Sequence, residues 1–208
     1  MFSIIQAVAA VSILASPLLY TMPEKKVGAF AAELMKREPD FGKRLLVVVQ
    51  TSLGTPYADG PLGEGPDGRY DQDPLADFTK VDCVTFVEQS IAVAASRSYP
   101  ETFDTLQRIR YRNGVVDFSQ RNHFMLADWI PSNRFCRDVS REVCPELQTV
   151  KRTIGRKHLF LLNHAPELAD AVSDAPMEAA FIPVERVAAV EEKLPSPALL
   201  CFIGKMDW

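Results

Sequence analysis

Val81-Asp82-Cys83-Val84-Thr85-Phe86-Val87-Glu88 places a cysteine directly after a residue that caps helices well. Val84, Phe86, Val87, Ile91, Ala94 and Ala95 follow with broadly helical spacing, so the pattern predicts a helix that begins at Cys83. There the thiol would lie among unpaired backbone N–H groups at the positive end of the helix dipole, an environment that favours the nucleophilic thiolate. The competing reading is a buried structural cysteine, because free cysteine is among the most buried residue types. One cysteine without a base and an orienting partner is a weak motif, so the neighbouring segments have to decide.

Upstream stand Leu53-Gly54-Thr55-Pro56-Tyr57 and a Gly-, Pro- and Asp-rich loop from Ala58 to Ala76. Downstream stand Tyr111-Arg112-Asn113-Gly114 and Arg121-x-His123-Phe124-x-x-x-Asp128-Trp129-Ile130-x-x-Asn133. The Gly54–Tyr57 turn followed by Asp82-Cys83-x-x-Phe86-Val87 resembles the nucleophile region of the NlpC superfamily of bacterial cell-wall peptidases, which are papain-like cysteine enzymes. The downstream segments resemble its N-acetylmuramoyl-L-alanine amidase-like branch, long catalogued as a domain of unknown function. The likeness runs from Phe41 to Asn133, with a looser one from Phe181 onward. It implies an α+β, papain-like NlpC-type domain with the cysteine helix packed on an antiparallel sheet. It also implies cysteine-dependent hydrolysis of the amide between the lactyl group of N-acetylmuramic acid and L-alanine, with a muropeptide as substrate, in the periplasm or outside the cell. A stem-peptide endopeptidase and a catalytically inactive cell-wall binding module are the alternatives.

A papain-like reaction needs an imidazole to take the thiol proton and a polar residue to orient the ring. Within this chain His123, with Asn133 or Asp128, can be drawn in those roles. The competing reading gives His123, Asp128 and Trp129 to a sugar or peptide subsite, and the resemblance favours it, because the superfamily's catalytic histidine follows a late strand in a His-x-Gly context. That context is absent. Pro195 to Gly204 resembles the strand leading toward it and the sequence ends at Trp208, so the C-terminal strands of the fold are expected to be missing. Tyr57 and Asp82 would border the substrate, Tyr57 with its hydroxyl toward the nucleophile; a core tyrosine is an equal competitor. His158 and His164 lie outside any matching motif.

With 208 residues, 47% hydrophobic content and a formal net charge of -4, the chain suits one catalytic domain and argues against a nonspecific nucleic-acid binder. The cysteines show no zinc-ligand spacing and no glycine fingerprint for phosphate is present, so no metal or nucleotide cofactor is implied. Residues 1–22 are predicted as a signal peptide or membrane anchor, the stretch from Phe2 to Tyr20 being uncharged, although no Lys or Arg follows Met1 and Pro17 interrupts a spanning helix. Residues 23–208 form the amidase-like domain. Cys136 and Cys144 read equally as a disulfide or as two reduced thiols.

Helices are predicted for Lys25–Arg37 and Tyr99–Tyr111, and for Phe41–Gln50 with a strand as competitor. Strands are predicted for Val115–Phe118, for His123–Ile130 by its alternation, and from Leu199. Arg108, Arg110 and Arg112 either hold substrate carboxylates or form a solvated face. Glu146 to Ala180 reads as an insertion or lid.

Overall fold

The computed structural model describes residues 18–204, so the signal-peptide reading of the first residues lies mostly outside the described residues. Helix α1 (Glu24–Arg37) buries Val27, Gly28, Ala31 and Leu34 along one stripe. Gly28 is required there, since a Cβ would stand 2.6 Å from the nitrogen of Tyr99, the first residue of a later helix. Helix α2 (Phe41–Thr51) settles the helix-or-strand ambiguity: Asp40 caps it by accepting from the Lys43 N–H at 2.8 Å. Its buried Arg44 donates to the carbonyls of Ala94 at 2.8 Å, Glu38 at 2.9 Å and Pro39 at 2.8 Å, satisfying groups at the end of α1 and of the helix that carries Ala94, which have no helical partners.

Helix α3 (Cys83–Ala95) is the centre of the domain and packs against α1, α2 and α4 (Tyr99–Arg110). Ile91, Ala92, Val93 and Ala94 are all buried, and the small side chains let three helices approach at once. The principal core gathers these with Val27, Val48, Leu106, Ile109 and Trp129.

Beyond α4 the chain carries a π-helical turn (Met125–Trp129) that runs into α5 (Ile130–Ser132), then α6 (Ser140–Val143). Strand β1 (Gln148–Ile154) pairs antiparallel with β2 (Ala175–Phe181), Gln148 opposite Phe181 and Ile154 opposite Ala175. Between them lie α7 (Arg156–Leu162) and α8 (Pro166–Asp170), and α9 (Val184–Val190) follows. The fold is therefore α+β, with a helical main body and a small hairpin.

Several expectations are corrected. Among the described residues the cysteine helix packs on helices, not on an antiparallel sheet, because the β1–β2 hairpin belongs to the Glu146–Ala180 segment. Val115–Phe118 is not a strand: Asn113 and Gly114 turn the chain at φ 55° and 70°, and Asp117 caps a 3-10 turn at Phe118–Gln120 by accepting from the Ser119 N–H. The His123–Ile130 alternation misled for a related reason. Phe124 O accepts from both Asp128 N at 2.7 Å and Trp129 N at 3.0 Å, and the Asp128 carboxylate returns to Phe124 N at 3.2 Å, closing a wide helical turn. Leu199–Gly204 has no regular structure. Cys136 and Cys144 are free thiols.

Candidate active site

Cys83 is exposed at the first position of α3, which removes the buried-structural reading. Asp82 does more than begin the helix. Its Oδ1 accepts from Val84 N at 2.9 Å, Thr85 N at 2.7 Å and the Thr85 hydroxyl at 2.9 Å, while Thr85 Oγ1 accepts from Asp82 N at 2.8 Å. This reciprocal capping box corrects the expectation of several open N–H groups around the sulfur. Phe86 N is taken by Asp82 O, which leaves the N–H of Cys83 itself as the amide without an acceptor among the described residues.

The upstream turn is fastened to the residues just before Cys83. Val81 N donates to Pro56 O and Ala58 N to Val81 O, both at 3.0 Å, forming a parallel bridge between Tyr57 and Val81. Gly54 makes the approach possible at φ 84°. Tyr57 is 72% exposed, so the core-tyrosine reading fails. Its phenol is held above the usual tyrosine value by desolvation and by the neighbouring charges of Asp59, Cys83 and Asp82.

The Gly-, Pro- and Asp-rich loop is pinned at its centre. Leu62, Gly63 and Glu64 are buried, and Gly63 N, Glu64 N and Gly65 N donate to the carbonyls of Pro74, Asp71 and Asp73. Glu64 Oε1 accepts from Arg121 Nε at 2.8 Å and from the Tyr111 hydroxyl at 3.0 Å; Arg121 also pairs with Asp71.

The remaining sequence-predicted residues lie elsewhere in the polar network. Trp129 is 1% exposed and donates Nε1–H to Glu88 Oε1 at 2.8 Å, so its indole is core rather than a sugar platform. Asp128 is buried in a two-point ion pair with Arg156, at 2.9 and 2.5 Å. Asn133 donates its amide to the carbonyls of Ile109 at 3.0 Å and Trp129 at 2.9 Å, capping the end of α4. The His123 ring packs edge-on against Phe118 and Phe160, with Nε2 2.7 Å from Phe118 O. Among the described residues no hydrogen bond joins His123 or Asn133 to the Cys83 sulfur, or to each other. His158 and His164 are exposed.

A family model described as AmiA-like, N-acetylmuramoyl-L-alanine amidase-like, matches residues 47–206. The chain belongs to the AmiA-like family. A Legionella pneumophila structure, ascribed to domain-of-unknown-function family 1460, has a TM-score of 0.69 at 20% identity, over 83% of this chain and 70% of that one. A structure of an N-acetylmuramoyl-L-alanine amidase from Bacteroides uniformis has a TM-score of 0.52 at 24% identity, over 76% and 69% of the two chains. A second structure of that description, from the same organism, has a TM-score of 0.51 at 26% identity, over 76% and 68%. No curated protein matches the chain.

Sequence reasoning missed the buried charges of this AmiA-like domain. Glu88, on α3, faces Arg110 at 3.5 Å, and both are 4% exposed. The available signal was a glutamate inside an otherwise apolar helical run. Burial pushes Glu88 up to about 7, against the opposing pull of Arg110 and the Trp129 hydrogen bond. Burial pushes His123 down to about 4, against the pull of the Phe118 carbonyl.

These two shifts act on stability in opposite directions. Folded Glu88 keeps a proton that the unfolded carboxyl has lost, so its contribution is present below 4.5 and disappears as the pH rises to about 7. His123 resists a proton that the unfolded imidazole accepts, so its contribution is present above 6.5 and disappears as the pH falls to about 4. Each is worth on the order of 3 kcal/mol. The pair should nearly cancel across the overlap. In urea midpoints measured against pH, Glu88→Gln is expected to make stability rise through the overlap, and His123→Gln to make it fall; parallel profiles for the two variants would refute the assignment.

Proposed function

We propose that the chain is a peptidoglycan amidase of the papain-like NlpC type, acting outside the cytoplasmic membrane, with Cys83 as its nucleophile. The observation that carries this reading is an exposed thiol at the start of a firmly capped helix, in a chain of the AmiA-like family. Attack of the sulfur on the muramoyl carbonyl forms a C–S bond and a tetrahedral oxyanion, to which the open Cys83 N–H can donate. Collapse breaks the C–N bond, and the proton released from the thiol ends on the departing L-alanine amine. Water then cleaves the lactyl thioester and restores the thiol. Tyr57 borders this site from the fastened turn, and Asp82 holds the helix start. His123, Asp128, Trp129 and Asn133 enter the reading as bracing groups, because their polar atoms are committed to Phe118, Arg156, Glu88, Ile109 and the Trp129 carbonyl.

That commitment of His123 also favours a second reading, a wall-binding module without turnover. Incubation with an N-acetylmuramoyl peptide, followed by mass spectrometry of the products, separates the readings. The amidase releases the sugar lactyl acid and a peptide with a new L-alanine amine. A new amine at a later stem residue would replace the amidase by an endopeptidase, and binding without cleavage would replace it by the module.

A further inference from the structure

A cleft of about 430 Å³, not lined by Cys83, lies between the turn after α4 and the α7–α8 pair. Its volume falls in the range of small-molecule sites, roughly 300–1,000 Å³. Phe160, Leu168 and Val172 form apolar wall, while Ser119, Gln120 and Arg112 bring polar groups to it. The wall is well supported, because Phe160 belongs to a cluster with Phe118, Ala165 and Ala169.

Charge separates Arg112 from its neighbours. Arg110 is buried against Glu88, Arg121 is paired with Glu64 and Asp71, and Arg156, also in the cleft wall, is neutralised by Asp128. Arg108 reaches back along its own helix to the Thr105 hydroxyl. Arg112 is exposed and has no carboxylate partner among the described residues. Asp117, close to it in sequence, is turned onto the Ser119 N–H and hydroxyl. Of the three arginines whose spacing suggested carboxylate recognition, Arg108 and Arg112 are both exposed without a carboxylate partner among the described residues, and Arg112 is the one that lines a cleft.

We propose that this cleft binds a carboxylate carried on an aliphatic body, with the Arg112 guanidinium on the charge and Phe160, Leu168 and Val172 on the hydrocarbon. A planar guanidinium can take both carboxylate oxygens, and the apolar wall selects against small, fully hydrated anions. The inference stands apart from the nucleophile assignment, since Cys83 takes no part in it.

The test is amide chemical-shift titration of the full chain with hexanoate, with hexanamide, and with N-acetyl-alanyl-glutamate. Hexanoate is expected to shift the amides of Ser119, Gln120 and Val172, and hexanamide to bind at least about tenfold more weakly, the factor that losing a charge-assisted hydrogen bond produces. Arg112→Ala should cost a similar factor, with Arg112→Lys intermediate. Ala171→Trp, an exposed substitution at the cleft wall, should block binding without touching any charge. Tighter binding of the acidic dipeptide than of hexanoate makes the ligand a peptide carboxylate, and equal binding makes it a free aliphatic one. Equal affinity for hexanamide, unchanged affinity in Arg112→Ala, or no response to either carboxylate overturns the proposal.

Discussion

Cys83→Ala is expected to lower muropeptide turnover by at least about a thousandfold while leaving the thermal midpoint unchanged. The two halves of this expectation have separate origins. Activity falls because, in the proposed mechanism, the sulfur is the atom that forms the acyl bond, and alanine has nothing to replace it. Stability holds because the start of α3 is organised by Asp82 and Thr85, not by the side chain between them: the carboxylate takes Val84 N and Thr85 N, and the Thr85 oxygen takes Asp82 N. Cys83 is exposed, so truncation leaves no cavity, and alanine is the best helix former. Asp82→Ala is the complementary variant. It keeps the sulfur but removes the cap, at about 1 kcal/mol in the midpoint, and frees two N–H groups next to the reacting atom. Turnover unchanged in Cys83→Ala would sink the nucleophile assignment, whatever Asp82→Ala does. Alkylation of Cys83 by iodoacetamide, slowed by a saturating muropeptide, would tie the same sulfur to the substrate cleft.

What the sequence made legible was local. The capped start of α3 could be read from Asp82, Thr85 and the apolar spacing behind them, because capping depends on a few adjacent residues. Helices α1 and α4 were legible from the helical spacing of their apolar residues. The α+β class and the AmiA-like family followed from motifs of the same short range.

Less was legible where distant residues decide the outcome. The run from His123 to Ile130 alternates as a strand would, yet Arg156, contributed by a later helix, anchors Asp128 and with it a π-helical turn. No window around residue 128 contains that partner. Asn133 was drawn beside a catalytic imidazole because amides do orient imidazoles, whereas the carbonyl of Ile109, left open at the end of α4, claims it. The arginines at 108, 110 and 112 look alike in sequence and meet three different fates, set by Thr105, by Glu88 and by a cleft built from a segment some fifty residues further on. Tyr57 and Trp129 show the same limit from both sides. Each is an aromatic with a polar end, and only tertiary packing makes one exposed and the other core.

At pH 8, above the value of about 7 to which burial raises Glu88, the carboxylate is ionised, and Arg110→Met is expected to destabilise the domain by about 3–5 kcal/mol, the range for removing one partner of a buried ion pair. The substitution leaves Glu88 fully enclosed with the Trp129 N–H as its remaining donor, and water cannot reach it to compensate. It also strips donors from Leu62 O, 2.8 Å from Arg110 Nη2, and from Gly63 O, 3.2 Å from Nη1. The Glu88→Leu/Arg110→Met double variant tells these losses apart. Removing both charges eliminates the stranded carboxylate, so the double variant should be more stable than Arg110→Met alone. It should still fall short of the natural chain by about 1–3 kcal/mol for each group left buried without a partner, the Leu62 carbonyl and the Trp129 Nε1–H, and only the first of these loosens the loop. Urea unfolding gives the totals, and limited proteolysis within residues 58–80 reports the loop alone. Full recovery in the double variant would mean that Arg110 serves only to neutralise Glu88. Partial recovery with accelerated cleavage of the loop would mean that Arg110 also fastens to α4 the segment that leads into Val81, so that the nucleophile helix and the loop before it are held by one guanidinium.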